Sequence, residues 1–370
     1  MLGTFLIGRC ARRAGAATLF CAALIAADAA HAARHGASHA ATPALDAQAV
    51  NDAQFSAPSG KARARAPSPA TIIKEEILLD RADFSPGEID GKAGANDQKA
   101  LAAFQQANGL KPTGRLDAET WTRLTATSND PALVEYEIEP GDVKGPFNKS
   151  IPTSFEKKAE LKNLNYTGPR ELLAEKFHIA PALLTRLNPK ASFETAGTKI
   201  VVPNVARKPS EAKVEKVVVD KSALTVRALD GHGKLISFYP ASVGSEDRPS
   251  PSGTRHIRSV VENPTYHYSP KLKFKGVKTQ KPFDIAAGPM NPVGSTWIDL
   301  GDSYGIHGTP APERVGKSGG VSHGCVHLTN WDARALAKLV HRGTKVEFIN
   351  SAGPRPAKRG EGGPSAARAG

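Results

Sequence analysis

Cys325 sits in Ser322-His323-Gly324-Cys325-Val326-His327, and His307-Gly308-Thr309 lies eighteen positions before it. A thiolate is the reactive form of cysteine, and an imidazole that takes its proton is the usual way to generate one near neutral pH. Cys325 is therefore the expected nucleophile and His307 the expected general base and acid. The glycines beside both groups, Gly308, Gly324 and the Gly319-Gly320 pair, leave bare backbone that a substrate can approach. Ser322, His323 and Gly324 are expected to orient the site or to aim N–H groups at a developing oxyanion. The carbonyl of Gly308 is the candidate that fixes the tautomer of His307. His323 is the alternative base.

Two other readings compete. A free cysteine is most often a small buried apolar side chain, but glycines and imidazoles are poor company for a core thiol. His323, Cys325 and His327 alternate, so on a strand all three would share one face, as metal ligands could. Zinc sites usually draw their ligands from separated segments, so neither a metal nor another cofactor is expected.

The elements that must hold these groups read as β. Val217 to Val219, Ala223 to Leu229 and Leu235 to Val243 carry β-branched and apolar residues between turn signals such as Asp230-Gly231, and Val346 to Ile349 makes a last strand. Directly after the cysteine motif comes a helix capped by Asn330, with Ala333, Leu336, Leu339 and Val340 on one face before Gly343. A mostly-β, sandwich-like domain follows.

The runs Gly305-Ile306-His307-Gly308-Thr309 and Ser322-His323-Gly324-Cys325-Val326 stand in order after Pro251-Ser252-Gly253-Thr254, Asn291-Pro292-Val293-Gly294 and Trp297-Ile298. Together they resemble the L,D-transpeptidase (YkuD-like) catalytic domain over residues 214–350. The resemblance implies an acyltransferase for peptidoglycan. Cys325 would attack the carbonyl of the third residue of a tetrapeptide stem and expel D-alanine, and an amine on a neighbouring stem would resolve the thioester into a 3-3 crosslink. Water or an envelope protein's amine as acceptor would make the chain a carboxypeptidase or a protein-anchoring transferase instead. One position departs from the pattern: two residues after the cysteine the family commonly has Arg or Asn, and this chain has His327. It is expected to bind the substrate carboxylate there, with a KM that rises as the imidazole loses its proton.

Upstream, Ile72, Ile73, Glu76, Ile77 and Leu79 suggest a helix, and Gly87 to Gly91 a turn. Asn96 or Asp97 can cap a second helix carrying Ala100, Leu101, Phe104 and Ala107 up to Gly109, and Asp117 a third carrying Trp121 and Leu124. Residues 71–126 resemble the small three-helix peptidoglycan-binding domain. Residues 133–205 resemble a LysM domain, an α+β unit that opens on Tyr136-Glu137-Ile138 and closes on the strand Lys199 to Val202. They depart from it by the insertion Val143 to Gly168. That insertion leaves open whether this unit holds glycan strands or acts as a spacer.

At the start of the chain, Arg9, Arg12 and Arg13 precede an alanine-rich apolar stretch that ends at Ala30-His31-Ala32, so residues 1–32 read as a Sec-type signal peptide. The protein is expected in the periplasm or cell envelope, with an uncleaved anchor as the alternative. Cleavage would remove Cys10 and Cys21, leaving Cys325 as a lone thiol in an oxidising compartment. Residues 33–70 and 351–370 lack periodicity and read as disordered linker and tail. The net charge of +13 fits anionic wall polymers, and no motif of a nucleic-acid module accompanies it. Peptidoglycan is thus the expected partner. A non-catalytic wall-binding protein is the alternative of another class, opposed by the presence of both His307 and Cys325.

Overall fold

The computed structural model describes residues 45–56, 66–207, 212–245, 248–272, 277–317 and 324–351. The expected signal peptide, residues 33–44 and 57–65 of the linker, and residues 352–370 of the tail lie outside them. Among the described residues no helix is long and apolar enough to cross a membrane.

The linker expectation gives way at one place. Residues Ala47–Asn51 form helix α1, capped by the Asp46 side chain, and its Val50 is fully buried. Asn51 exchanges hydrogen bonds with the backbone of Leu133, which ties this turn to the next unit. Leu45 and Ala47 pack against the same core as Val50, and Lys74 donates to the Asn51 and Ala53 carbonyls, so a few contacts order a segment whose composition reads as solvated.

Three helices follow. Helix α2 (Pro69–Arg81) starts where Ser68 Oγ accepts the Thr71 N–H with Pro69 in the first turn, a combination that fills the orphan donors of a helix start. Helix α3 spans Ala95–Ala107 and α4 spans Ala118–Thr125, the latter capped by Asp117 as expected. The cap of α3 differs: Gly94 holds that position. Asn96 instead donates to the Val315 carbonyl, and Asp97 is buried beside Glu75. Helix α2 is apolar on two sides. Leu78 and Leu79 pack with Leu101, Phe104 and Leu124, while Ile73 and Ile77 face the next unit.

That unit pairs β1 (Leu133–Glu137) antiparallel with β2 (Lys199–Pro203). Between the two strands run the short helices α5 (Pro140–Lys144) and α6 (Phe155–Ala159), then α7 (Pro169–Lys176) and α8 (Pro181–Leu187). Leu173, Leu183, Leu184 and Val202 close one core with Ile73 and Ile77. The expected insertion, Val143 to Gly168, supplies α6 and the last two residues of α5.

The remaining chain forms two main sheets. One has the order β5-β4-β3-β13-β6, from Leu235–Pro240, Thr225–Leu229, Lys216–Asp220, Lys345–Ile349 and Gly253–His256. The other has the order β12-β11-β10-β7, from Val326–His327, Tyr304–His307, Thr296–Gly301 and Ser259–Glu262. Helix α9 (Asn330–Leu339) packs Ala333 and Leu336 into the core that Val217, Val226, Ile298, Ile306, Val326 and Val346 share. A separate hairpin pairs β8 (Tyr266–Tyr268) with β9 (Phe283–Ile285). This is the mostly-β domain expected from the strand pattern.

The units share cores instead of hanging on linkers. Phe238 of β5 lies in the core of the three helices, and its backbone bonds both Ser85 and Asp83. Arg207 closes the junction, with guanidinium nitrogens 2.8 Å from Asp80, 3.2 Å from Asp83 and 3.7 Å from Asp332.

Candidate active site

Strands β11 and β12 run parallel with His307 opposite His327. Side chains two apart on a strand share a face, so Gly305 and His307 on one strand, and Cys325 and His327 at the start of the other, present to one side. The His307 and His327 rings meet at a centroid distance of 4.4 Å. On its other side His307 stacks on Trp297 of β10 at 5.3 Å. A Cβ on Gly305 would lie 2.6 Å from the Trp297 indole, so the absence of a side chain at Gly305 is what admits that ring.

His307 is buried, and its Nδ1 lies 2.7 Å from the Gly308 carbonyl oxygen. A carbonyl can only accept, so Nδ1 carries the proton and Nε2 is left with its lone pair. Burial lowers the imidazole pKa to about 4, with the Gly308 bond acting in the opposite sense. The ring is neutral at pH 7.

Cys325 is half-buried. Burial pushes its thiol up to about 11, only partly offset by the backbone of Gly305 hydrogen-bonding to it. The resting pair is thus a neutral thiol and a neutral imidazole. Desolvation by burial, which no sequence pattern displays, sets this resting state. Sγ also lies 3.7 Å from the Ser303 carbonyl oxygen, and Ser303 and Asp302 both have positive φ in the turn between β10 and β11.

Gly324 has φ +106°, and a Cβ there would come within 2.8 Å of the Tyr304 ring, so the residue before the cysteine must be glycine on both counts. Ser322, His323 and the Gly319-Gly320 pair lie outside the described residues. Among the described residues no group of three His, Cys, Asp or Glu side chains could hold a metal ion. His327 is half-buried, and its backbone N–H and carbonyl both bond Ser242, which fixes the strand end that carries it.

Three further residues belong to this site. Trp297 was visible in the sequence only as part of a motif. Tyr266 of the β8–β9 hairpin lies close enough to Cys325 to interact with its charge, and it adds an aromatic wall. Asn330 was expected to cap α9, but Thr329 does so by accepting the Asp332 N–H. The Asn330 amide instead lies against Gly308, where a Cβ would meet its Oδ1 at 2.2 Å. No periodicity marks a residue whose amide is spent on a loop distant in sequence.

Comparison with known proteins places these features in a family. Residues 215–348 match the model of the L,D-transpeptidase catalytic domain, and residues 74–124 match that of a putative peptidoglycan binding domain. The chain is 26% identical over 189 residues to the probable L,D-transpeptidase YbiS of Escherichia coli (strain K12), covering 50% of this chain and 61% of that protein. It is 28% identical over 176 residues to the putative L,D-transpeptidase YkuD of Bacillus subtilis (strain 168), covering 47% and 89%. The chain spans about 60% of the length of the Escherichia coli relatives it matches. Among solved structures, an L,D-transpeptidase from Mycobacterium smegmatis aligns at 16% identity over 43% of this chain and 76% of that one, with a TM-score of 0.31. By the family matches, the chain carries an L,D-transpeptidase catalytic domain at residues 215–348, preceded by a peptidoglycan-binding domain at residues 74–124.

Proposed function

We propose that this chain is an exported cysteine L,D-transpeptidase that joins peptidoglycan stems through a thioester on Cys325. The observation that carries the reading is the tautomer of His307: with Nδ1 bound to the Gly308 carbonyl, Nε2 keeps its lone pair, and the alternation along the paired strands puts His307 and Cys325 on one face. A base whose pKa lies near 4 is neutral and ready to accept throughout the physiological range.

The thiol proton passes to His307 Nε2 as Sγ attacks the carbonyl of the third stem residue. Transfer and attack coincide because neither partner is charged at rest. The oxyanion is met by backbone N–H groups at Gly324 and Cys325. One well-placed donor of this kind contributes on the order of 3 kcal/mol. The proton on His307 then goes to the departing D-alanine amine. An acceptor amine, deprotonated by His307, attacks the thioester and restores the thiol.

The three-helix unit and the β-α-α-β unit, the latter read as LysM-like, would hold the enzyme on the wall. The amino-terminal segment would direct it to the periplasm or envelope. Intact-protein mass spectrometry after incubation with a carbapenem tests the acyl-enzyme, since one added drug mass on the parent and none on Cys325→Ser is expected. Muropeptide analysis of cells with and without the protein reads the acceptor. Loss of 3-3 crosslinks identifies a stem amine, altered tetrapeptide to tripeptide ratios identify water, and loss of wall-bound protein identifies a protein amine.

A further inference from the structure

Glu175 lies in α7, outside the catalytic domain, yet its Oε2 accepts a 2.8 Å hydrogen bond from Asn330 Nδ2. A carboxylate facing Asn330 can only accept, so the amide must turn its nitrogen to Glu175 and its oxygen the other way. That oxygen accepts the Ser295 N–H at 3.1 Å and fills the space beside Gly294 and Gly308, at 2.1 and 2.2 Å from where a Cβ would stand. Gly308 is bonded through its N–H to Thr296 and through its carbonyl to His307 Nδ1. A continuous series of contacts therefore runs from Glu175 to the imidazole.

A second grip comes from the same unit. The fully buried Leu164 donates to the Ala287 carbonyl at 3.1 Å and accepts the Met290 N–H at 2.9 Å. Gly288 between them leaves no room for a Cβ, which would lie 2.2 Å from the Leu164 oxygen. Asn330 Nδ2 bonds Pro289 in the same loop. The stretch from Ala287 to Ser295, which backs Gly308, is thus held at its start by Leu164 from outside the catalytic domain and at its end by Asn330, itself bonded to Glu175.

We propose that Glu175 is a positioning residue for His307, fixing the orientation of the Asn330 amide and through it the Gly308 carbonyl that sets the imidazole tautomer. The idea rests on His307 being the base proposed above. When Glu175 is removed, Nδ2 of the buried Asn330 amide keeps only the longer bond to the Pro289 carbonyl and loses the shorter, charge-assisted one, so its orientation is held more weakly. Turning would bring its N–H groups against the Ser295 N–H and push on Gly308. The β-α-α-β unit would then be part of the catalytic apparatus as well as a wall anchor.

The test uses the full chain as parent, Glu175→Met, which keeps volume without an acceptor, and Glu175→Gln, which keeps an acceptor oxygen. Two readouts are taken: kcat and KM for stem transpeptidation, and the imidazole ¹⁵N signals of His307. Glu175→Met is expected to lose at least tenfold in kcat with KM within twofold, and its His307 signals should move from the Nδ1–H form towards a tautomer average. Glu175→Gln should match the parent in both. A Glu175→Met protein with parental kcat and unchanged imidazole signals would overturn the proposal. Should Glu175→Met not fold, Glu175→Asp, which retracts the acceptor by roughly 1.5 Å, serves in the same comparison. If the parent itself lacks transpeptidation, the ¹⁵N readout still decides: a changed tautomer upholds the positioning role while the functional reading falls, and an unchanged one sinks both.

Discussion

Arg207 and Asp80 stand 2.8 Å apart at the meeting point of the three folding units, with Asp80 fully buried and Arg207 only 15% exposed. Burial alone would raise the Asp80 carboxyl, but Arg207 and then His178 outweigh it and bring the pKa to about 2. His178 also stacks on Trp331 of the catalytic domain, and Ser85 donates to Asp332. One cation therefore pairs closely with the carboxylates of the helical unit and stands 3.7 Å from that of Asp332 in the catalytic domain.

Removing Arg207 should destabilise the whole chain as one body. Breaking a buried pair typically costs about 3–5 kcal/mol, because the partner is left charged and dry. In the parent, the contribution of Asp80 is complete above the unfolded carboxyl value near ~3.9 and is lost as pH falls through about 2. In Arg207→Met, Asp80 is a buried acid left with His178 alone, so burial weighs more heavily against its ionisation and the stability gap to the parent should widen from pH 4 to pH 7. Urea titrations at both values measure it, and a constant gap would contradict the assignment.

The pair Glu75 and Asp97 carries the opposite sign. Burial first, and then mutual repulsion, raises the Glu75 carboxyl, and burial raises that of Asp97. The folded state holds protons that the unfolded chain releases near pH 4, so stability should decline as pH rises from about 4 into the alkaline range. Glu75→Gln keeps the shape and removes one ionisation. It is expected to be more stable than the parent by about 1–2 kcal/mol at pH 8.5 and equal to it at pH 4. Thermal melts at the two pH values check this.

How far the sequence could be read follows from these cases. Periodicity and β-branched runs found the helices over 69–81, 95–107 and 118–125, the closing strand at residues 199–203 and four catalytic-domain strands, at 216–220, 225–229, 235–240 and 345–349, whereas the mostly shorter strands between 253 and 307 carry no such pattern. Spacing singled out Cys325 and His307, and the pairing of the strands that carry them puts both on one face. What stayed hidden was non-local. Asp97 looks like a cap, and Asn330 likewise, until the fold supplies Glu75 and Glu175 as partners. The charge state of Cys325 could not be read either, because it depends on desolvation by residues distant in sequence.

The high thiol pKa makes a prediction about reactivity. With the Cys325 thiol near 11 and His307 near 4, the free enzyme holds almost no thiolate at pH 7. Alkylation by iodoacetamide, followed at Cys325 by peptide mass spectrometry, should rise about tenfold per pH unit between 8 and 10. A plateau reached by pH 7 would mean a preformed thiolate-imidazolium pair. Cys325→Ser should lose nearly all transpeptidation under the same conditions while keeping its melting temperature.

His327 offers the last test, since the structure changes what is expected of it. As a carboxylate binder it should tolerate His327→Arg, which would supply a permanent charge and a KM independent of pH. Its ring instead lies 4.4 Å from the ring of His307, on a strand end pinned by two bonds to Ser242. A fixed cation at that distance opposes the imidazolium that the proposed proton transfer to His307 would create. At an effective dielectric of about 20 the repulsion is at most ~4 kcal/mol, and less as the guanidinium reaches outward into water. His327→Arg is therefore expected to lower kcat tenfold or more from pH 5.5 to 8, whereas the neutral His327→Asn should stay within threefold of the parent. A His327→Arg enzyme that keeps parental kcat and shows a flat KM against pH would return His327 to the role of substrate ligand and remove it from the support of His307.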